Sequence, residues 1–379
     1  MNGKVLAIAA VVVLLVAGVG VGITVMNNDK DKEKTGGLYD LKATVMDIDM
    51  GGMSSTPKVV ETVEYMYKSV YGDLADGADK LTLADAKEDK TFWDTYAKYE
   101  VNATVDGDGK ITYTTLSAAK TKTTVVLDGK ADTLIFTGTA YPTILYWALC
   151  EKYHVERYSD AAKNNADLVN EFKSIVVGSL KKDSVSTSTP ELVEYLPDGY
   201  LEHCGALSSY EVEQIGQDVK SFAEKGKRVI FMGSGTISSG KYNEAAYKAV
   251  DENGGYTALN DAASIPKTLA GIDLVGKILG YSSYTDEIIK DIQLRLYKVW
   301  WSAQQYKDQA HKAYFEGSSG TASKSTGSGA ELCKFFGWDV SLFDGKEHDT
   351  ESLLKDKPDI LMFYTNDDRT EDQKMRVSS

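Results

Sequence analysis

A repeated order of apolar strand, glycine-bearing loop and helix is the feature that most restricts how this chain can fold. A short apolar run at 132–136 leads into the loop 137–143, and a helical stretch continues through 144–153. The order recurs as a strand at 228–232, a glycine loop at 233–240, a helix at 242–252 and a strand near 256–259. Continuous apolar strands that alternate with helices predict a parallel sheet covered on both faces. Ligands of such sheets bind at the carboxyl ends of the strands.

Two helical stretches separate this first α/β unit from a second one. The stretch 266–279 follows Ser264 and ends at Gly280, which suits a helix with an amino-terminal cap and a glycine stop. The next stretch, 284–308, has one apolar stripe at three- and four-residue spacing, formed by Ile288, Ile292, Leu296, Val299 and Ala303. The second unit follows as a strand at 312–315, a small-residue loop at 316–329, helices at 330–336 and 350–354, and a strand at 359–364.

Several segments resemble the helix-linked class of periplasmic binding proteins, class III, which serves importers of iron chelates, haem and cobalamin. Gly276-Lys-Ile-Leu-Gly280 looks like the segment before the linking helix of that class. Lys312-Ala-Tyr-Phe-Glu-Gly-Ser-Ser-Gly320 looks like the strand and ligand-facing loop that open its second lobe. The helix from Gly329 to Gly337, then Glu351-Ser-Leu-Leu and Lys357-Pro-Asp-Ile-Leu361, match the elements that come next. The resemblance covers roughly residues 130–379.

The resemblance implies an α/β fold of two Rossmann-like lobes with parallel sheets, joined by a long rigid helix. We expect the first lobe at 130–265, the linking helices at 266–308 and the second lobe at 309–379. Only residues 365–379 follow the last strand, where the family commonly has further strands and helices, so we expect either a second lobe that is truncated at its carboxyl end or a chain that is a fragment. Residues 38–129, expected to form a small α+β accessory segment, have no counterpart in the family, and 163–211 is longer than the usual first-lobe connection.

An uninterrupted run of 22 uncharged, mostly apolar residues occupies positions 5–26, after a four-residue tail. As a helix it would be about 33 Å long, enough to cross a bilayer core of about 30 Å. Lys4 precedes the run and a polar linker at 27–37 follows it, which favours an extracytoplasmic bulk. Because no cleavage-site pattern closes the run, we favour a transmembrane anchor over a removed signal peptide.

The composition argues against nucleic-acid binding and against a protein-built metal site. The 42 basic and 56 acidic residues give a net charge of −14, which repels phosphate backbones. Cys150, Cys204 and Cys333 are far apart and without CxxC spacing, so we expect three buried thiols. The four histidines form no paired ligand motif.

Two local motifs suggest other chemistry but lack required residues. Asp106-Gly-Asp-Gly-Lys-Ile111 resembles part of a calcium loop, yet both end ligands would be threonines, so a hairpin turn is favoured. Gly235-Thr-Ile-Ser-Ser-Gly-Lys-Tyr242 resembles a phosphate-binding loop, but Tyr242 stands where Ser or Thr is required. The glycine loops also lack the GxSxG pattern of serine hydrolases. We therefore predict a non-enzyme without catalytic residues or a cofactor.

The predicted ligand site lies between the two lobes, where hydroxyl, amide and glycine backbone groups converge from loops at strand ends. Its residues are Thr137, Thr139, Tyr141, Gly233, Ser234 and Thr236 in the first lobe, and Gly317, Ser318, Ser319, Tyr364 and Asn366 in the second. The resemblance implies an ABC importer permease as partner, docked through one exposed glutamate on each lobe. Glu351 is the candidate in the second lobe, and Glu211 or Glu213 in the first.

Two other functions stay open from the sequence. Five Trp and 23 Tyr residues also suit a cell-surface carbohydrate-binding or adhesive protein, since aromatic faces stack on sugars as well as on tetrapyrroles. A structural surface domain without a ligand is the simplest alternative.

Overall fold

The structure, a computed structural model, describes eleven stretches of the chain. These are residues 43–48, 56–116, 122–136, 140–179, 190–195, 201–202, 209–234, 241–260, 264–309, 311–317 and 321–364. The apolar run 5–26 and the linker 27–37 lie outside the described residues. Within the described stretches, none of the helices has the length and apolarity needed to cross a membrane.

The elements predicted between 132 and 364 are present in the described residues in the predicted order, together with strands and helices that were not predicted. The strands are β1 (Thr44–Ile48), β2 (Ala103–Val105), β3 (Ile111–Leu116), β4 (Lys122–Leu127), β5 (Thr133–Phe136), β6 (Val176–Ser179), β7 (Leu201–Glu202), β8 (Val229–Ser234), β9 (Tyr256–Asn260), β10 (Ala313–Glu316) and β11 (Ile360–Tyr364). The helices are α1 (Val59–Tyr71), α2 (Leu83–Glu88), α3 (Lys90–Phe92), α4 (Ala140–Tyr153), α5 (Asp160–Lys163), α6 (Ala166–Ile175), α7 (Ser209–Glu224), α8 (Lys241–Glu252), α9 (Ile265–Leu279), α10 (Ser282–Ala303), α11 (Ser328–Phe335) and α12 (Thr350–Asp356).

The first lobe contains a five-stranded parallel sheet in the order β7-β6-β5-β8-β9. Alternate side chains of its strands enter two different apolar clusters. Ile135 and Phe231 pack with α7 and α8, whereas Leu134 and Met232 lie in the cluster that contains α4 and α9. Helices therefore cover both faces of the sheet, as the continuous apolar strands predict.

An antiparallel sheet of β2, β3 and β4 covers the edge of this parallel sheet. The Tyr113 hydroxyl donates to the Thr257 carbonyl at 2.9 Å, and the Leu259 amide donates to Thr115 Oγ1 at 2.6 Å. Side chains of β3 thus bond the main chain of β9, which limits the exposure of that edge strand. The hairpin belongs structurally to the first lobe.

The turn between β2 and β3 is the hairpin turn that we favoured over a calcium loop. Asp106 Oδ1 accepts hydrogen bonds from the amides of Asp108 and Lys110, at 3.0 and 2.9 Å. Gly109 has a φ of +80°, which a glycine adopts without strain. The carboxylate of Asp106 is therefore used to close the turn.

The second lobe contains a parallel sheet in the order β1-β11-β10, and here the structure differs from the expected organisation. Strand β1 comes from the segment that was expected to be a separate accessory unit. Its Met46 and Ile48 are 0% and 1% exposed and share an apolar cluster with Met362 and Phe315. Burial of these two side chains stabilises the pairing of β1 with β11, although more than 300 residues separate the two strands in sequence. A lobe expected to be short at its carboxyl end thus gains a strand from residues 44–48.

Helices α9 and α10 lie close to the positions predicted for the linking helices. The predicted stripe on α10 is buried, with Ile288, Ile292, Leu296, Val299 and Ala303 each at most 2% exposed. Helix α10 packs against α4 of the first lobe and against α1, which also contacts β1 of the second. Its 22 residues give a length of about 33 Å, so α10 spans both lobes.

Gly276 and Gly280 are each required for a different structural reason. A Cβ at Gly276 would lie 1.9 Å from Oγ1 of Thr285, so only glycine lets α9 and α10 approach this closely. Gly280 has a φ of +80° and ends α9 in the left-handed conformation. At the other end, Pro266 stands in the first turn, and Ser264 caps α9 without a side-chain hydrogen bond.

We predict that Gly276→Ala lowers the free energy of unfolding by about 1–3 kcal/mol, the usual cost of overpacking a core. Alanine favours a helix over glycine by up to about 1 kcal/mol, but the contact with buried Thr285 outweighs this gain. Urea denaturation followed by circular dichroism measures the change.

Gly107→Ala is the control for this substitution, because a Cβ at Gly107 in the hairpin turn meets no atom within 4 Å. We expect its unfolding curve to match that of the parent protein. Equal stability of Gly276→Ala and Gly107→Ala would contradict the close contact between α9 and α10.

Candidate functional site

The strand order of the first lobe creates a crevice between the carboxyl ends of β5 and β8. From the central strand β5 the chain proceeds to β6 and β7 on one side, then crosses to β8 and β9 on the other. The connections that leave β5 and β8 therefore run in opposite directions. Open parallel sheets bind ligands at such a point of reversal.

The six residues predicted for the first half of the site stand, in sequence, at or after the ends of β5 and β8. Thr137, Thr139 and Tyr141 follow β5, while Gly233 and Ser234 end β8 and Thr236 follows it. Thr137, Thr139 and Thr236 are outside the described residues, and Ser234 is described by its main chain. Of the six residues, Tyr141 and Gly233 are therefore the two whose contacts and burial the structure describes.

Tyr141 and Gly233 are in direct contact across the crevice. The Tyr141 hydroxyl donates a hydrogen bond to the Gly233 carbonyl at 2.6 Å, and the tyrosine side chain is 5% exposed. Tyr141 lies in the first turn of α4, a helix whose residues from Tyr141 to Cys150 are all buried. This bond ties the start of α4 to the end of β8.

The second half of the predicted site begins where β10 ends. Gly317 donates its amide to the Thr321 carbonyl at 3.1 Å, and the Ser323 amide donates to the Phe315 carbonyl at 2.7 Å. Residues 321–323 therefore run back along the end of β10. Ser318, Ser319 and Asn366 lie outside the described residues, and Tyr364 is described by its main chain at the end of β11.

Glu316 is a residue at this strand end that the sequence reasoning missed. Its side chain is 1% exposed, and the buried Tyr314 hydroxyl donates to its Oε2 at 2.5 Å. Burial of a carboxylate costs free energy unless hydrogen bonds compensate for the lost water. A signal was present in the sequence, because Glu316 is a charged residue at the end of an otherwise apolar strand.

The candidate docking glutamates lie on surface helices. Glu351 is exposed in the first turn of α12, where the Asp349 side chain caps the helix by accepting the Ser352 amide at 2.8 Å. Glu213 is exposed on α7, and Glu211 is described on the same helix by its main chain. Their role in docking, and the facing of the two halves of the ligand site, stay predictions.

Two of the three cysteines are described, and both are buried as predicted. Cys150 and Cys333 are buried, and burial raises the pKa of the Cys150 thiol to about 12. Cys204 lies outside the described residues. Among the described residues, no three His, Cys, Asp or Glu side chains are placed to hold a metal ion.

Comparison with known proteins gives matches to solved structures alone. No family model matches the chain, and no curated protein matches it. A TroA-like periplasmic binding protein, FepB from Veillonella parvula, is 16% identical, with 66% of this chain and 69% of that chain covered and a TM-score of 0.43. Another periplasmic binding protein from Veillonella parvula is 13% identical, with 71% and 83% covered and a TM-score of 0.45.

The heme binding protein HmuT is also similar, at 13% identity, with 71% of this chain and 75% of that chain covered and a TM-score of 0.36. The two Veillonella parvula proteins are periplasmic binding proteins, as are the proteins that the sequence motifs resemble.

We predict that Tyr141→Phe lowers the free energy of unfolding by about 1–2 kcal/mol, because the buried hydrogen bond between Tyr141 and the Gly233 carbonyl is lost. Urea denaturation measures this loss. Tyr284→Phe, which removes the hydroxyl of a half-buried tyrosine on α10, should change stability less. Parent-like stability of Tyr141→Phe would show that the bond does not fix the crevice.

Proposed function

We propose that this protein is an extracytoplasmic solute-binding protein that captures its ligand between two lobes and delivers it to an ABC importer. It is a binding protein without catalytic activity. The ligand is an iron chelate, such as a ferric siderophore, or haem or a corrinoid such as cobalamin.

The observation that carries this proposal is the arrangement of the two parallel sheets on the linking helices. Helix α10 spans both lobes, and the five-stranded sheet has its point of reversal between β5 and β8, where Tyr141 bonds Gly233. Two α/β lobes on a stiff helix form a cleft whose walls are loops at strand ends.

The chemistry of the predicted loops suits a large ligand that carries carbonyl or carboxylate groups. Gly233 and Gly317 allow the ligand to approach main-chain amides, and Thr137, Thr139 and Ser318 offer hydroxyl groups. Ferric chelates, haem and corrinoids all carry such oxygen atoms at their periphery. The name of HmuT states that this similar protein binds heme, and haem is one of the three candidates here.

The location and partners follow from the same proposal. The apolar run 5–26 anchors the protein in the membrane, and the lobes face outward, where they meet the permease of the importer. Glu351 on one lobe and Glu211 or Glu213 on the other present negative charge to arginines of the permease. Such charge pairs increase the rate of association more than they increase affinity.

Ligand titration of the ectodomain tests the proposed function. A protein that lacks residues 1–34 is titrated with haemin, cyanocobalamin and a ferric hydroxamate while Tyr and Trp fluorescence is recorded. We predict saturable quenching by one of the three ligands. Thr139→Val should lower the affinity for that ligand about 5- to 10-fold, because the loss of one hydrogen bond costs about 1 kcal/mol of binding free energy.

The control variant is Thr124→Val, which makes the same chemical change at an exposed position on β4. Its affinity should equal that of the parent protein. Failure of all three ligands to bind the folded ectodomain would contradict the proposal, and saturable binding of an oligosaccharide would support the carbohydrate-binding alternative.

A further inference from the structure

Helix α1 lies beside the linking helix α10 and runs in the same direction. Glu61 and Glu64 of α1 contact Arg295, near the middle of α10. At the carboxyl end of α1, the Tyr71 ring stacks on the ring of Tyr306, which follows α10. The ring centroids are 4.5 Å apart, with an angle of 15° between the planes. The two contacts are separated by similar lengths of both helices, so α1 is parallel to the second half of α10.

The first turn of α1 is packed against the first lobe. Lys58 is 7% exposed, and its Nζ lies 5.6 Å from the centroid of the Tyr158 ring. Tyr158 is itself held in the first lobe, because its hydroxyl accepts from Trp147 Nε1 at 2.8 Å and its amide donates to the Tyr146 hydroxyl. Thr56, Val59 and Val60 next to Lys58 are also buried.

The last turn of α1 is packed against the second lobe. The indole Nε1 of Trp338, which follows α11, donates to the Tyr71 hydroxyl at 2.9 Å. The Tyr71 ring also lies 5.6 Å from the ring of His311, which precedes β10. Strand β1, which precedes α1 in the chain, is paired within the sheet of the second lobe.

A charged clamp joins α1 to α10 between these two ends. Arg295 Nε and Nη2 bind Glu64 Oε1 and Oε2 at 2.8 and 2.6 Å, and its Nη1 binds Glu61 Oε1 at 3.2 Å. A two-pronged contact between arginine and carboxylate fixes orientation as well as distance. Asp291 lies 3.6 Å from the same guanidinium group. Burial alone would lower the pKa of Arg295, but the carboxylates around it raise the pKa above its ordinary value.

The start of α10 is fixed to the first lobe by a second polar cluster. Glu171 of α6 accepts from Tyr281, just before α10, at 2.5 Å, and from Lys152 of α4 at 2.7 and 2.6 Å. Burial raises the pKa of Glu171, but the hydrogen bonds from Lys152, Tyr153 and Tyr281 more than offset it and hold the pKa below its usual range. Helix α10 therefore cannot pivot at its start without the loss of this cluster.

We infer that α1 and α10 form a two-helix strut, clamped at Arg295, that fixes the angle between the lobes. A single helix can bend or rotate at its ends, whereas two parallel helices with contacts at both ends resist both motions. The chain also connects the two parallel sheets twice, once between β1 and β5 and once between β9 and β10. This inference is independent of which ligand binds.

Distances between spin labels on the two lobes test the strut. Lys248 on α8 and Lys355 on α12 are exposed and are replaced by labelled cysteines in a Cys204→Ser background, with buried Cys150 and Cys333 retained. Double electron–electron resonance then gives the distribution of interlobe distances. We predict one narrow distribution for the parent protein and at least a twofold broader one for Arg295→Met.

Lys290→Met is the matched control, because Lys290 is an exposed cation on the same helix that pairs with Glu287. It should leave the distribution unchanged. Glu64→Gln keeps the size of the side chain but weakens the clamp, so it should give a distance distribution of intermediate width. If Arg295→Met does not fold, Glu64→Gln is the variant that tests the inference. The inference would be overturned if folded Arg295→Met had a distance distribution as narrow as that of the parent protein. If only Glu64→Gln folds, the same result for Glu64→Gln would overturn it.

Discussion

Apolar contacts on α10 connect the two sheets of this protein, and the position of each lobe depends on them. Ile288, Ile292, Leu296 and Val299 are buried in one apolar cluster that extends from Leu134 in the first sheet to Met362 in the second. Each such side chain stabilises the fold by about 1.5–3 kcal/mol when it is removed from water. The contact requires a glycine at position 276, because α9 could not otherwise lie against Thr285. The linking helix is thus part of a continuous core.

The polar groups at the strand ends depend on this core for their positions. Tyr141 reaches the Gly233 carbonyl because the buried helix α4 is fixed between the first sheet and α10. Glu316 and Tyr314 form a corresponding buried pair at the end of β10. Buried polar groups of this kind are stable only when they are hydrogen-bonded. Each lobe therefore has a fixed polar anchor beside the loops that we propose to bind ligand.

Local patterns in the sequence were sufficient to predict most elements. The stripe from Ile288 to Ala303 gave the linking helix, and the Asp106 turn gave the hairpin, because both signals lie within a few neighbouring residues. The partners of β1 and α1 could not be predicted in this way. Strand β1 has five residues and pairs with β11, and α1 meets Arg295 more than 200 residues later. Burial against distant residues determines both positions. Local hydrophobic periodicity predicts a helix or a strand, but it does not predict which distant element that helix or strand packs against. The same reason explains why Tyr141 was expected to face ligand, whereas its hydroxyl bonds Gly233.

Hydrogen–deuterium exchange with and without bound ligand tests most directly whether ligand lies between the two lobes. The ectodomain is saturated with whichever of haemin, cyanocobalamin or ferric hydroxamate it binds, and exchange is followed by mass spectrometry. A cleft between the lobes predicts slower exchange in peptides from the end of β8, near Gly233, and from the end of β10, near Gly317, in the same complex. Protection confined to one of these strand ends, or to the hairpin of β2 and β3, would contradict a site formed by both lobes.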